Sequence, residues 1–349
     1  MSGGIIIAKL DRDKFSIFPI LVDDVPAIVG PFSNIEKGDF SQRYGLSPII
    51  VRQTYVIAGT AHESFRGFLF PDFLRKDWPN NLWGNIASRL YNDRVNKSHN
   101  ADEMVNESAL RLMHSARSED ENCARFISTS LLAIDQALGR VGLHYNERLC
   151  DHLRRTEGRG CRSASTSDVE LGTHIHSFFM HVGAVRDYLA RLIAHRLGFD
   201  ATKIDSFSRL IGKTRVNHVS QDSMLTYLAD EGLISRAEES TGYKVSGWLD
   251  AVSKDRNTLV HNRTYGVEYD ERYGQVVPIS RDHGVYAFRR QLVLREKTTD
   301  VLDNLSDVHR KISKLFVDLA VKSGYDFTPR LITDDNLIHP TPPRTARSR

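Results

Sequence analysis

Arg256-Asn257-Thr258-Leu259-Val260-His261 places a guanidinium and an imidazole five positions apart. A guanidinium is always charged in proteins and can fork onto two phosphate oxygens. An imidazole takes up and releases a proton near neutrality. One group that holds phosphate beside one that moves protons is a minimal toolkit for cleaving RNA without metal. The ribose 2′-hydroxyl would attack the adjacent phosphorus, a base would draw off its proton, and positive charge would steady the phosphoryl oxygens. His261 fits the proton-transfer role and Arg256 the phosphate role. Asn257, four residues before His261, has the spacing to hydrogen-bond or orient the ring. Lys254 and Arg263 flank the hexad and are further candidates for RNA contact.

The element that must carry these residues reads as a helix. Val245, Trp248, Leu249, Val252 and Leu259 recur at helical spacing, with Val245, Val252 and Leu259 defining a core line. At about 100° per residue, Asp250, Lys254, Asn257 and His261 share the opposite line. His261 is therefore expected to point away from the core of its own bundle, and Arg256 to sit at the edge of the buried stripe. On spacing alone such a polar line is more often a solvated face than a site.

Other amphipathic patterns surround this one. Ile127, Leu131, Ile134, Leu138 and Val141 form a stripe, and Ile175, Phe178, Phe179, Val182, Val185, Leu189, Leu192 and Ile193 form a second. Met224, Leu225 and Leu228 mark a short helix. Leu302, Leu305, Val308, Ile312, Leu315 and Leu319 mark a long one, after an extended segment over Gln275–Phe288. Thr156–Ser167, rich in Gly, Ser and Arg, reads as a loop. The first residues differ in character: Ile5–Leu10, Phe15–Val22 and Pro48–Ala58 are β-branched and aromatic-rich between turn residues, and Asn80–Asn92 and Asp102–Ala116 carry shorter helical patterns. The expected fold is mainly α, an up-and-down helical bundle with a small strand-containing N-terminal region. The expected division is an N-terminal α/β region over 1–118, a helical domain over 119–325 and a disordered tail over 326–349.

Bulk composition sets weak limits. The chain has 349 residues, 40% hydrophobic, and a formal charge of +3, which permits a nucleic-acid partner without demanding one. Cys123, Cys150 and Cys161 lack metal-type spacing, and three cysteines do not all pair, so a reduced, cytoplasmic protein is the simplest reading. Ile5-Ile6-Ile7 is too short for a signal-peptide core, and no apolar run spans a bilayer. Gly212-Lys213-Thr214 ends like a phosphate-binding loop, but Phe207 stands where the first glycine belongs and no strand precedes it. His174, His181, Tyr188 and His195 repeat every seven residues, wider than a helical metal site uses, and fit a helix edge or subunit contact.

The segment Trp248 to Asn262 resembles the last core helix of HEPN domains (higher eukaryotes and prokaryotes nucleotide-binding). Their motif is Arg, then Asn, Asp or His, three variable residues, and His; Arg256, Asn257 and His261 fill those places. Phe178 to Leu189 is similar to the second helix of several HEPN groups, where an aromatic-rich start precedes a polar residue facing the site; His181 and Asp187 are the auxiliary candidates there. The resemblance spans roughly residues 119–322, and residues 1–118 match no family pattern. It implies a four-helix core, a homodimer bringing two hexads together, and metal-independent RNA endonuclease activity without a cofactor, leaving a 2′,3′-cyclic phosphate. It also implies a setting in bacterial or antiviral defence or toxin systems, with RNA as substrate and an antitoxin or trigger protein as possible partner. Some HEPN members have lost catalysis, so the alternative is a helical module that only binds RNA or a partner protein.

Overall fold

The computed structural model describes residues 7–11, 14–17, 19–22, 25–28, 56–57, 60–61, 79–99, 117–154, 162–238, 241–280, 285–295 and 297–328. Its α-helices are α1 (Pro79–His99), α2 (Glu119–Arg154), α3 (Asp168–Arg196), α4 (Phe207–Lys213), α5 (Val216–Gln221), α6 (Ser223–Asp230), α7 (Gly247–Asn257) and α8 (Val301–Lys322). The described residues are mostly helical, and the apolar stripes account for it. Every residue of the Ile127–Val141 stripe is buried, as are those of the second stripe on α3 and of the last on α8. Fully burying each such side chain contributes about 1.5–3 kcal/mol.

Side-chain pairs fix the directions. His195 and Arg191, near the end of α3, meet Asp120 and Glu119 at the start of α2, at 2.7 and 2.5 Å. His144, toward the other end of α2, approaches Asp168 at the start of α3 at 3.4 Å. α3 therefore runs antiparallel to α2. α8 does too: the Leu302 amide donates to the Tyr145 hydroxyl at 3.3 Å, and His309 pairs with Asp135, both buried. Asp300 starts α8 by accepting the amides of Leu302 and Asp303 at 2.9 and 3.2 Å, where the helix dipole favours a carboxylate.

Helix α1, which composition assigned to the N-terminal region, belongs to the same core. Trp83 is fully buried, and its indole N–H donates to the Phe316 carbonyl at 2.9 Å. Ser128 Oγ donates to the Asn80 carbonyl at 2.7 Å, and Arg94 pairs with the fully buried Glu121 at 3.1 Å. The boundary expected at residues 118–119 thus cuts through one hydrophobic cluster that runs from Leu82 to Ala320. Composition sets α1 apart because, among its residues whose burial is described, the apolar ones in the buried core are Leu82, Trp83, Ile86 and Ala87.

The described strands are β1 (Ile7–Asp11), β2 (Lys14–Ile17), β3 (Pro19–Val22), β4 (Val25–Ile28), β5 (Val56–Ile57), β6 (Thr60–Ala61), β7 (Arg162–Ser163), β8 (Ile234–Arg236), β9 (Tyr243–Val245), β10 (Gly274–Ser280), β11 (Val285–Leu294) and β12 (Lys297–Asp300). The extended segment expected over Gln275–Phe288 is the hairpin of β10 and β11. β1 pairs antiparallel with β11, Ile7 opposite Ala287, in a sheet ordered β2-β1-β11-β10-β7, and β12 also pairs β11. An early strand therefore joins a late hairpin. The expected helix over Asp102–Ala116, residues 48–55, residues 156–161 of the loop and the tail from 329 lie outside the described residues. No described helix is long and apolar enough to cross a membrane.

Candidate functional site

The hexad sits at the junction of α7 with a π-turn. Val245, read from periodicity as part of this helix, lies instead in β9 opposite Ile234, and α7 starts at Gly247, whose φ of +60° only glycine adopts freely. Leu249, Val252 and Leu259 bury the expected core face. Regular α-geometry ends at Asn257, and Thr258–Asn262 form one π-helical turn closed by the Arg263 amide donating to the Thr258 carbonyl, five residues back, at 3.0 Å. Thr258, Val260, His261 and Asn262 are all poor α-formers, so little propensity opposes the wider turn.

That turn decides the geometry of the site. In an unbroken α-helix, residues five apart project about 140° from each other. Here Nη1 of Arg256 lies 2.8 Å from Nε2 of His261 and 3.1 Å from the Asn257 side-chain oxygen. Guanidinium only donates, so the contact is a hydrogen bond when the ring is neutral with its proton on Nδ1 and its lone pair on Nε2. Asn257 holds the guanidinium rather than the ring. His261 and Asn257 are exposed, as the helical projection expected for His261, and Arg256 is half-buried. π-turns inside helices are frequent at functional sites.

Arg256 is seated against α3, which runs antiparallel to α7: Arg256 lies over Gly183, and Tyr265 over Gly172. A Cβ at Gly183 would stand 2.9 Å from Nε of Arg256, so the bare backbone there lets the guanidinium approach. Periodicity did not single out Gly183, because its role depends on which helix crosses it.

The remaining candidates have other engagements. Arg263 is forked onto the fully buried Glu271, at 2.7 and 2.8 Å, and also donates to the Val293 carbonyl. Glu271 in turn accepts the amides of Gly266 and Val293 at 2.9 and 2.8 Å. Arg263 thereby pins the chain that leaves the π-turn. Lys254 is exposed and pairs with Asp250 one turn back, at 2.7 Å. Asp187 accepts the Phe207 amide at 3.0 Å and so anchors the start of α4; burial raises its pKa, against that hydrogen bond and the nearby charge of Arg186. His181 is half-buried, and burial lowers its pKa.

A separate cavity of about 630 Å³ opens where α3 begins, lined in part by Ser165, Asp168, His176, Tyr265, Arg272 and Arg290. Its charged floor is internally paired. Asp168 meets Arg290 at 2.8 Å and accepts the Ser165 amide at 2.8 Å, while Arg290 donates to the Glu271 carbonyl at 2.9 Å and the Tyr265 hydroxyl at 3.1 Å. Burial alone would raise the Asp168 pKa, but the neighbouring His144 and Arg290 and the Ser165 amide bring it down to about 2. The network ties the start of α3 to β11 and to the segment after the hexad. Among the described residues, no three His, Cys, Asp or Glu side chains gather in a metal-holding arrangement.

Comparison with protein-family models, with curated proteins and with solved structures gives no match.

Proposed function

We propose that this chain is a metal-independent RNA endonuclease of HEPN type, with Arg256 and His261 as its reacting-centre residues. The observation that carries the reading is the 2.8 Å contact between Arg256 and exposed His261 across the junction of α7 with the π-turn that follows it. Arg256 would hold the scissile phosphate and stabilise charge building on its oxygens. As Arg256 turns onto the phosphate it frees the Nε2 lone pair of His261, which would then draw the proton from the 2′-hydroxyl. The oxygen then attacks phosphorus, the bond to the 5′-oxygen breaks, and a 2′,3′-cyclic phosphate and a free 5′-hydroxyl remain. The leaving oxygen needs a proton from an acid. A homodimer with two hexads facing one cleft would supply a second imidazole for that step. The deciding experiment is incubation of the purified chain with labelled RNA in EDTA. Cleavage to 2′,3′-cyclic phosphate ends is the expected result. Salt-sensitive RNA binding with no product under any condition would move the reading to a binding module.

Gly183 provides a second test. Replacing glycine by alanine inside a helix favours folding by about 1 kcal/mol. The new Cβ would nevertheless push Arg256 off its seat by a few tenths of an ångström. Gly183→Ala is expected to melt at or above the wild-type temperature while cutting RNA about tenfold more slowly, since displacements of about 1 Å in positioning groups cost up to 10²-fold. Thermal melts and cleavage assays run on the same preparations measure both. Unchanged cleavage would show that the seating of Arg256 on α3 does not matter.

A further inference from the structure

Arg186 is a buried cation with no hydrogen-bonding or charged partner among the described residues. It projects from α3, one turn beyond Gly183 and so on the same helix face. Only 6% of its surface is exposed. Its guanidinium lies 5.5 Å from the ring centre of Phe207. Among the described residues it forms no hydrogen bond and no ion pair, and its Nε is buried and unsatisfied. Burial pulls its pKa down to about 10, with the positive charge of Arg256 adding to the shift and Asp187 opposing it. It still carries a full charge at neutral pH.

Arg256 is only partly satisfied, through the Nη1 contacts to Asn257 and His261. Its Nε is also buried and unsatisfied, and no carboxylate pairs with it among the described residues. The two carboxylates whose charges act on Arg186 are committed elsewhere. Asp187 accepts the Phe207 amide, and Asp250 holds Lys254. Arg256 lies over Gly183, Arg186 projects from the next turn of the same face, and each feels the other's like charge while Arg186 is almost wholly desolvated. A folded chain tolerates an unpaired buried charge at a cost of several kcal/mol. An incoming anion removes that cost, and the guanidinium fork suits a group with two free oxygens.

We propose that Arg186 and Arg256 form a two-guanidinium clamp for a phosphodiester group, with Arg186 as a second phosphate ligand of the hexad site. The proposal deepens the nuclease reading and rests on it for the identity of the anion, but its readout is binding, not cleavage. Arg186→Met keeps an unbranched side chain against Phe207 and removes the charge. Arg186→Lys keeps the charge and loses the fork.

The test uses full-length protein and an all-2′-deoxy oligonucleotide, which offers phosphates but no 2′-hydroxyl nucleophile. Arg186→Met is expected to weaken binding 10- to 100-fold, since one charge-assisted hydrogen bond is worth that much. Arg186→Lys is expected to recover only part of it. In thermal melts Arg186→Met is expected to unfold at or above the wild-type temperature, because an uncompensated charge has been removed from the interior. Added inorganic phosphate should stabilise wild type and leave Arg186→Met unmoved. Equal oligonucleotide affinity in wild type and Arg186→Met, or a marked loss of stability in that variant, would overturn the clamp. Stabilisation by inorganic phosphate without oligonucleotide binding would overturn its assignment to nucleic acid. RNA cleavage by wild type with Arg186-independent binding sinks the clamp and leaves the nuclease; Arg186-dependent binding without cleavage does the reverse.

Discussion

His261→Ala is expected to lower RNA cleavage by about 10²–10⁴-fold, the usual contribution of a positioned acid or base. The fold should survive, because the ring is exposed and its contact is a hydrogen bond to Arg256 rather than packing. Arg256→Ala is expected to cost about 10²–10³-fold by removing charge from the phosphoryl oxygens. Arg256→Lys should rescue little. A lysine has the charge but not the planar fork, and it cannot at once face phosphate, the Asn257 oxygen and the His261 lone pair. Circular dichroism and melting temperature confirm the fold while initial rates report activity. A His261→Ala variant that cuts RNA at the wild-type rate would end the nuclease reading, because among the described residues no other histidine shares the Arg256 contact.

Much of the scaffold was legible because apolar periodicity reports burial directly. Ile127 to Val141, Ile175 to Ile193 and Leu302 to Leu319 are buried where the pattern placed them. What it missed depends on partners distant in sequence. Trp83 joins the bundle through a carbonyl more than two hundred residues away, and β1 finds its partner in β11. No local pattern encodes either pairing. The hexad shows the same division at finer scale. Its residue types are visible in the sequence, and a constant helical pitch predicts the exposure of His261. That same pitch separates His261 from Arg256, and the contact is made where the helix widens after Asn257. The second-helix candidates differ for a related reason. Asp187 has the polar character expected of a residue facing the site, yet the amide of Phe207 takes up its carboxylate, while its neighbour Arg186 has no carboxylate pair among the described residues and feels the charge of Arg256. One position along a helix turns a side chain by about 100°, and only the packing of α4 and α7 on α3 tells the two apart.

The sharpest discrimination between chemistry and mere contact comes from the substrate. With the 2′-hydroxyl as nucleophile, a single 2′-deoxy nucleotide at the target position removes the attacking atom and should abolish cleavage at that bond. Neighbouring bonds in the same RNA should remain susceptible, because Arg256 and His261 would still meet a phosphate and a hydroxyl there. Binding should be almost unchanged, since the phosphate contacts do not involve the 2′-oxygen. A nuclease that activates water would behave differently and cut the deoxy-substituted bond. Comparing cleavage maps of the parent RNA and its singly deoxy-substituted form, with binding measured on the fully deoxy strand, separates these cases. Equal cutting of both strands at the target bond would refute the 2′-hydroxyl mechanism and with it the role assigned to the His261 lone pair. Selective protection of that one bond would tie the Arg256–His261 contact to a defined chemical step.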